Sequence, residues 1–108
     1  MRVLLTNLPP LLNDILSEAL AGESDIEIVR GMANRDVQSL ATELSPDVII
    51  LQSSRENSEA IARTSRGTTV VAIDATGEHA LVFGVGEKPV LLADVSPTTI
   101  IMAIRGTT

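Results

Sequence analysis

Apolar and polar positions divide the chain into short elements. Val48-Ile49-Ile50-Leu51 is an unbroken branched apolar run, introduced by Ser45-Pro46-Asp47 and ended by Gln52, Ser53 and Ser54. Such a run without alternation predicts a strand buried on both faces, as in a parallel sheet covered by helices. Arg2 to Thr6 and Thr69 to Asp74 have the same character, and Ile26 to Arg30 differs only in Glu27, which suits an edge. Between the first two strands Leu11, Leu12, Ile15, Leu16, Ala19 and Leu20 recur as pairs every four residues. That spacing predicts a helix with a wide apolar stripe, Pro10 in its first turn, Asn13, Asp14, Ser17 and Glu18 on its wet side, and Gly22 as C-terminal cap. Gly31 to Ala33 turns the chain, and Asn34 is placed to cap a second helix carrying Val37, Leu40, Ala41 and Leu44, which Ser45-Pro46 ends.

After Gln52 the pattern thins. Ser53 to Arg66 is polar, with Ala60, Ile61 and Ala62 to bury, and predicts a short, weakly anchored helix over Glu56 to Arg63. Arg55, Arg63 and Arg66 read as solvated helix-surface charge. Beyond the fourth strand, His79 to Val85 and Pro89 to Ala93 are strand-like, with only turns at Thr76-Gly77 and Gly86-Glu87-Lys88. No room is left for a covering helix, so a hairpin with an antiparallel strand is expected. Ser96, Pro97, Ile100, Ile101 and Ile104 predict a capped last helix. The alternation of strand and helix predicts an α/β fold with right-handed crossovers.

Composition narrows the function classes. The chain has 108 residues, 44% hydrophobic, so a single domain over 1–108 with a real core is expected. No apolar run approaches the roughly 20 residues of a membrane span, and Met1-Arg2 leads into a strand without a signal-peptide pattern. Cysteine is absent, which removes thiolate catalysis and Cys-type zinc sites and suits a cytoplasmic protein. Eight basic against fourteen acidic residues give a net charge of −6, with one Phe and neither Trp nor Tyr. Neither a basic stripe nor a base-stacking platform is present, so direct nucleic-acid binding is not expected.

Candidate chemistry lies at the carboxyl ends of the strands, where open α/β sheets place their sites. Asn7, Gln52 and Asp74 converge there, either as a small-ligand or cation site or as a capped polar patch. His79 is the only histidine, so neither a histidine-rich metal site nor a Ser-His-Asp triad is expected. Gly84-Val85-Gly86-Glu87-Lys88 lacks phosphate-loop spacing and reads as a turn.

Taken together, RVLLTNLPPLL, SDIEIV, LSPDVIIL and DVSPTTIIMAIR, in this order and spacing, resemble the receiver domain of bacterial response regulators over nearly the whole chain. The resemblance implies a flavodoxin-like three-layer sandwich with strand order 2-1-3-4-5, here with an antiparallel hairpin strand replacing the fourth helix. It also implies where the family's chemistry would stand. The magnesium-holding acid pair falls on Asn7 and Leu8, the phosphate acceptor on Gln52, the switch hydroxyl on Asp74 and the lysine on Ala93. Magnesium wants hard anionic oxygens, and Asn7 and Gln52 offer neutral carbonyls, while the Asp74 charge would repel phosphate. The implied protein is a pseudo-receiver, neither enzyme nor phosphate switch, without metal or cofactor. It would act as a regulatory interaction or dimerisation module whose partner is a second copy, another signalling protein or a C-terminal output domain. The expected interface is Leu81, Phe83, Val85, Val90 and Leu92, with the first and last helices as the competing surface. The alternative is a small-molecule-binding flavodoxin-like domain or enzyme subunit using the same sheet end.

Overall fold

A computed structural model describes residues 1–30, 37–64, 67–84 and 89–105. Ten elements follow one another: β1 (Arg2–Leu5), α1 (Pro10–Ala21), β2 (Glu27–Arg30), α2 (Val37–Leu44), β3 (Val48–Gln52), α3 (Arg55–Thr64), β4 (Thr69–Ile73), β5 (Ala80–Phe83), β6 (Val90–Leu92) and α4 (Pro97–Arg105). The strands form one mixed sheet in the order β2-β1-β3-β4-β5-β6. β1 to β4 are parallel, and β5 is antiparallel to both β4 and β6.

The alternation of each strand sorts the core into two layers. Val3, Leu5, Val48, Ile50, Val71, Ile73, Ala80 and Val82 pack with Leu16 and Leu20 of α1 and Ile100 and Ile104 of α4. Leu4, Ile49, Leu51, Val70, Ala72 and Phe83 pack with Ile61 of α3, joined by Leu44 of α2. Helices therefore cover both faces, which is why β3 carries an unbroken apolar run with Ile49, Ile50 and Leu51 fully buried.

The antiparallel hairpin strand is where expected, but the sheet has six strands instead of the five of order 2-1-3-4-5. β5 pairs directly with β4, Ile73 opposite Ala80, and β6 lies outside it as the edge, so the sheet has six strands with two antiparallel pairs. The six-residue connection from Asp74 to His79 is too short for a crossover, which leaves antiparallel pairing as the way to keep β5 in the sheet.

Two local expectations are corrected, those for the α1 stripe and for α3. In α1 the sheet takes only the second member of each apolar pair, Leu12, Leu16 and Leu20, because its contact stripe is narrower than the apolar arc. Leu11 (73% exposed) and Ile15 (41%) face out, and Ser17 is buried without a hydrogen-bond partner for its hydroxyl among the described residues. Gly22 is the C-terminal cap of α1 as expected, right-handed at φ −74°, with its N–H donating to the Leu20 carbonyl. α3 is better anchored than its composition suggests. Ser58 is fully buried and donates to the Ser54 carbonyl at 2.8 Å, whereas Ala60 faces out. The turn at Gly31 to Ala33, the cap at Asn34, and Arg66 lie outside the described residues, and Arg63 pairs with Glu59 at 3.1 Å.

Ser45 ends α2 with φ 47°, out of the right-handed region as the following proline requires. Ser96 caps α4, its Oγ accepting the Thr99 N–H at 3.2 Å above Pro97 in the first turn.

Candidate functional site

β3 and β4 end level, Gln52 opposite Ile73, so Gln52 and Asp74 emerge at one edge of the sheet. β1 stops short of them. The Thr6 N–H donates to the Ile50 carbonyl at 3.1 Å, and the chain then turns at Asn7 with φ 53°. Asparagine is among the few residues that take this left-handed conformation readily. From there the Asn7 carbonyl accepts the Gln52 N–H at 3.3 Å, and Asn7 Nδ2 donates to the Gln52 carbonyl at 2.8 Å.

The Gln52 side chain reaches the other way. Its Nε2 donates to the carbonyls of Asp74 at 2.9 Å and Ala75 at 3.4 Å. Two neutral amides thus stitch the ends of β1, β3 and β4 together.

The Asp74 carboxylate serves the turn that follows it. Oδ1 accepts from Thr76 Oγ1 at 2.8 Å and from the N–H groups of Glu78 and His79 at 3.2 and 3.4 Å. Oδ2 stands 3.5 Å from His79 Nδ1. The Asp74 N–H donates to the His79 carbonyl at 2.9 Å, and Gly77, at φ 76°, donates to the Asp74 carbonyl at 3.1 Å. The Thr76 hydroxyl first, opposed by desolvation and then aided by the backbone N–H groups of His79, Glu78 and Gly77, holds the carboxyl below its ordinary range. Asp74 is therefore an anion that organises the β4–β5 turn, and His79 is its half-exposed neighbour.

Leu8 does not plug this end of the sheet but packs half-buried against the α1/α4 layer, and Pro9 is exposed. Ala93 follows β6 and is exposed, separated from β4 by the whole of β5. Asn7, Gln52 and Asp74 thus come together, while Leu8 and Ala93 do not join them. Among the described residues no group of three or more Asp, Glu or His side chains is placed to hold a metal ion.

Two hollows flank the stitched amides. One, of about 400 Å³, lies between Gln52, Ser53, Ser54, Asp74 and Ala75. Its serines are engaged by α3, Ser54 Oγ accepting the Asn57 N–H at 3.2 Å and Ser53 Oγ the Asn57 side-chain amide at 2.8 Å. The other, of about 410 Å³, opens on the α3 side over Ala72, Ala80, Leu81 and Leu91, with Ser53, Asp74 and His79 at its rim.

The expected interface residues do not share a surface. Leu81 is half-buried and Phe83 buried on the α3 side, where Phe83 belongs to the core. Val90 (47% exposed) and Leu92 lie on the opposite face, level with Val82 and Ala80. Val85 and the turn after it lie outside the described residues. The residue that sequence reasoning missed is Leu91, 64% exposed and opposite Leu81. The period-2 alternation of Val90-Leu91-Leu92 was the signal that separates it from its neighbours. The cap on α3 by Ser54 was also missed, though a serine just before a helix is its ordinary mark.

No family model matches the chain, and neither a curated protein nor a solved structure matches it. Among the described residues no helix is long and apolar enough to cross a membrane.

Proposed function

We propose that this chain is a degenerate receiver, a cytoplasmic pseudo-receiver of flavodoxin-like design that works through its surface as a regulatory interaction or dimerisation module. Under this reading β6 is the family's fifth strand, set one place outward by the inserted β5, and order 2-1-3-4-5 becomes the observed six-strand order. The observation that carries the reading is the Gln52 amide. It stands where a receiver carries its phosphate acceptor, and its Nε2 bonds to the carbonyls of Asp74 and Ala75 instead of facing an incoming group. Asn7, in the place of an acid, is bonded to Gln52 as well. The carboxylate at this edge, Asp74, takes three hydrogen bonds from its own turn. Phosphoryl transfer to a protein needs a freely presented acceptor, and the Gln52 amide is neutral and already bonded to the β4 loop.

The second reading, a small-molecule-binding domain, is favoured by the 410 Å³ hollow with its apolar floor and its Asp74 and His79 rim, a volume within the range of ligand sites. Backbone amide spectra recorded with magnesium and acetyl phosphate test the first reading. Unmoved Asn7, Gln52 and Asp74 resonances are expected, and saturable shifts at all three would overturn it. Shifts confined to Leu81 and Leu91 with small apolar probes would favour the second.

A further inference from the structure

We propose that the protein self-associates through the free edge of its sheet, β6 pairing antiparallel with β6 of a second copy about a two-fold axis at Leu91. This rests on the interaction-module reading and adds to it the partner and the register.

The hydrogen-bond phase of the hairpin sets which backbone groups are free. The Asp74 N–H bonds the His79 carbonyl, and 74 and 79 stand in the register that pairs Ile73 with Ala80. Bonding positions alternate along an antiparallel ladder, so 79, 81 and 83 turn toward β4 and 80 and 82 toward β6. Val90 and Leu92, the partners of Val82 and Ala80, then bond β5, and the N–H and C=O of Leu91 point outward from the sheet.

The two edges of the sheet differ in their side chains. β2 carries exposed Glu27 and Arg30, and charge on an edge strand deters pairing. β6 carries no charge, and Val90 and Leu91 are its exposed apolar residues.

A two-fold axis at Leu91 suits the β6 sequence. It sets Leu91 against the partner's Leu91 and Val90 against the partner's Leu92. On the α3 side Leu81 and Leu91 then continue into the partner's Leu91 and the partner's Leu81 as one apolar row. The paired Leu91 groups exchange two hydrogen bonds, and the Ala93 N–H meets the carbonyl of the partner's Pro89 on each side. Proline offers no N–H, so the ladder stops there and the contact closes as a dimer instead of growing.

The test is the mass of the full chain by light scattering over a range of concentrations, for the wild type, Leu91→Asp and Met102→Asp. Leu91 and Met102 are both about two-thirds exposed, so neither change strains the fold, which circular dichroism checks. Aspartates at 91 would face each other across the axis and repel. The expected result is twice 11.4 kDa for the wild type and Met102→Asp and 11.4 kDa for Leu91→Asp. Amide exchange on the wild type gives a second readout independent of any variant, with Leu91 N–H protection rising with concentration. A dimer that survives Leu91→Asp, or a Leu91 amide that exchanges freely in the dimer, overturns the edge and leaves the interaction reading standing. A wild type that stays at 11.4 kDa overturns self-association, and the phosphodonor result still stands or falls separately.

Discussion

The Asn7 carbonyl accepts the Gln52 N–H while the Asn7 side-chain amide donates to the Gln52 carbonyl, so one asparagine holds both backbone groups of the β3 end. Gln52 in turn ties that end to the β4 loop. The junction is thus held by two neutral side-chain amides bonded to backbone carbonyls. Each neutral hydrogen bond contributes about 0.5–1.5 kcal/mol net.

The core and the junction should therefore separate in denaturant melts. Ile50→Ala, at a fully buried centre of β3, should cost about 2–5 kcal/mol, and Gln52→Ala about 1 kcal/mol through its lost side-chain bonds. A larger cost for Gln52→Ala than for Ile50→Ala would contradict the assignment of Gln52 to a partly exposed strand end.

Asp74 should titrate below the ordinary aspartate value of about 3.9 because the Thr76 hydroxyl and three backbone N–H groups favour its charged form. A carboxyl whose folded pKa is depressed adds stability above its unfolded pKa and loses it as pH falls through the folded value. Loosening of the β4–β5 turn is thus expected on the acid side, below about pH 4. Carbon-detected titration should give a midpoint below 3.9, rising in Thr76→Val. An unchanged midpoint in that variant would mean the hydroxyl is not the main cause.

Phe83 should behave as core and not as interface. Only 6% exposed, it should cost about 3–5 kcal/mol on truncation to alanine, while Leu91→Ala, at 64% exposure, should stay within about 0.5 kcal/mol in dilute urea melts. Comparable costs for the two would contradict the burial pattern of the hairpin.

Backbone pairing should also reject a side chain at Gly84. Its φ of 97° disfavours any other residue, and an added Cβ would stand 2.9 Å from the Thr68 carbonyl oxygen. Gly84→Ala should cost more than about 1 kcal/mol in a denaturant melt. A neutral result would mean the chain does not pass Thr68 this closely.

Much of the fold was legible because burial writes itself into sequence. Val48 to Leu51 is apolar throughout since both faces of β3 are covered, and Ser96-Pro97 marks the start of α4 through its own hydrogen bonding. The six-strand order was less legible. Two strands joined by a turn declare a hairpin, but nothing local fixes whether the hairpin lies in the sheet or over it. Leu11 and Ile15 illustrate a second limit, since an apolar arc wider than its contact leaves some members outside. At the site, the residue types at 7, 52 and 74 were readable, but their bonding was not. It depends on the left-handed turn at Asn7 and on the β4–β5 turn folding back upon Asp74, both consequences of tertiary register.

Intact-mass measurement of the full chain after incubation with acetyl phosphate and magnesium tests the central claim most directly. With a neutral amide at Gln52 already bonded to the β4 loop, the mass is predicted to stay that of the unmodified chain. A stoichiometric phosphoryl adduct would contradict the pseudo-receiver account.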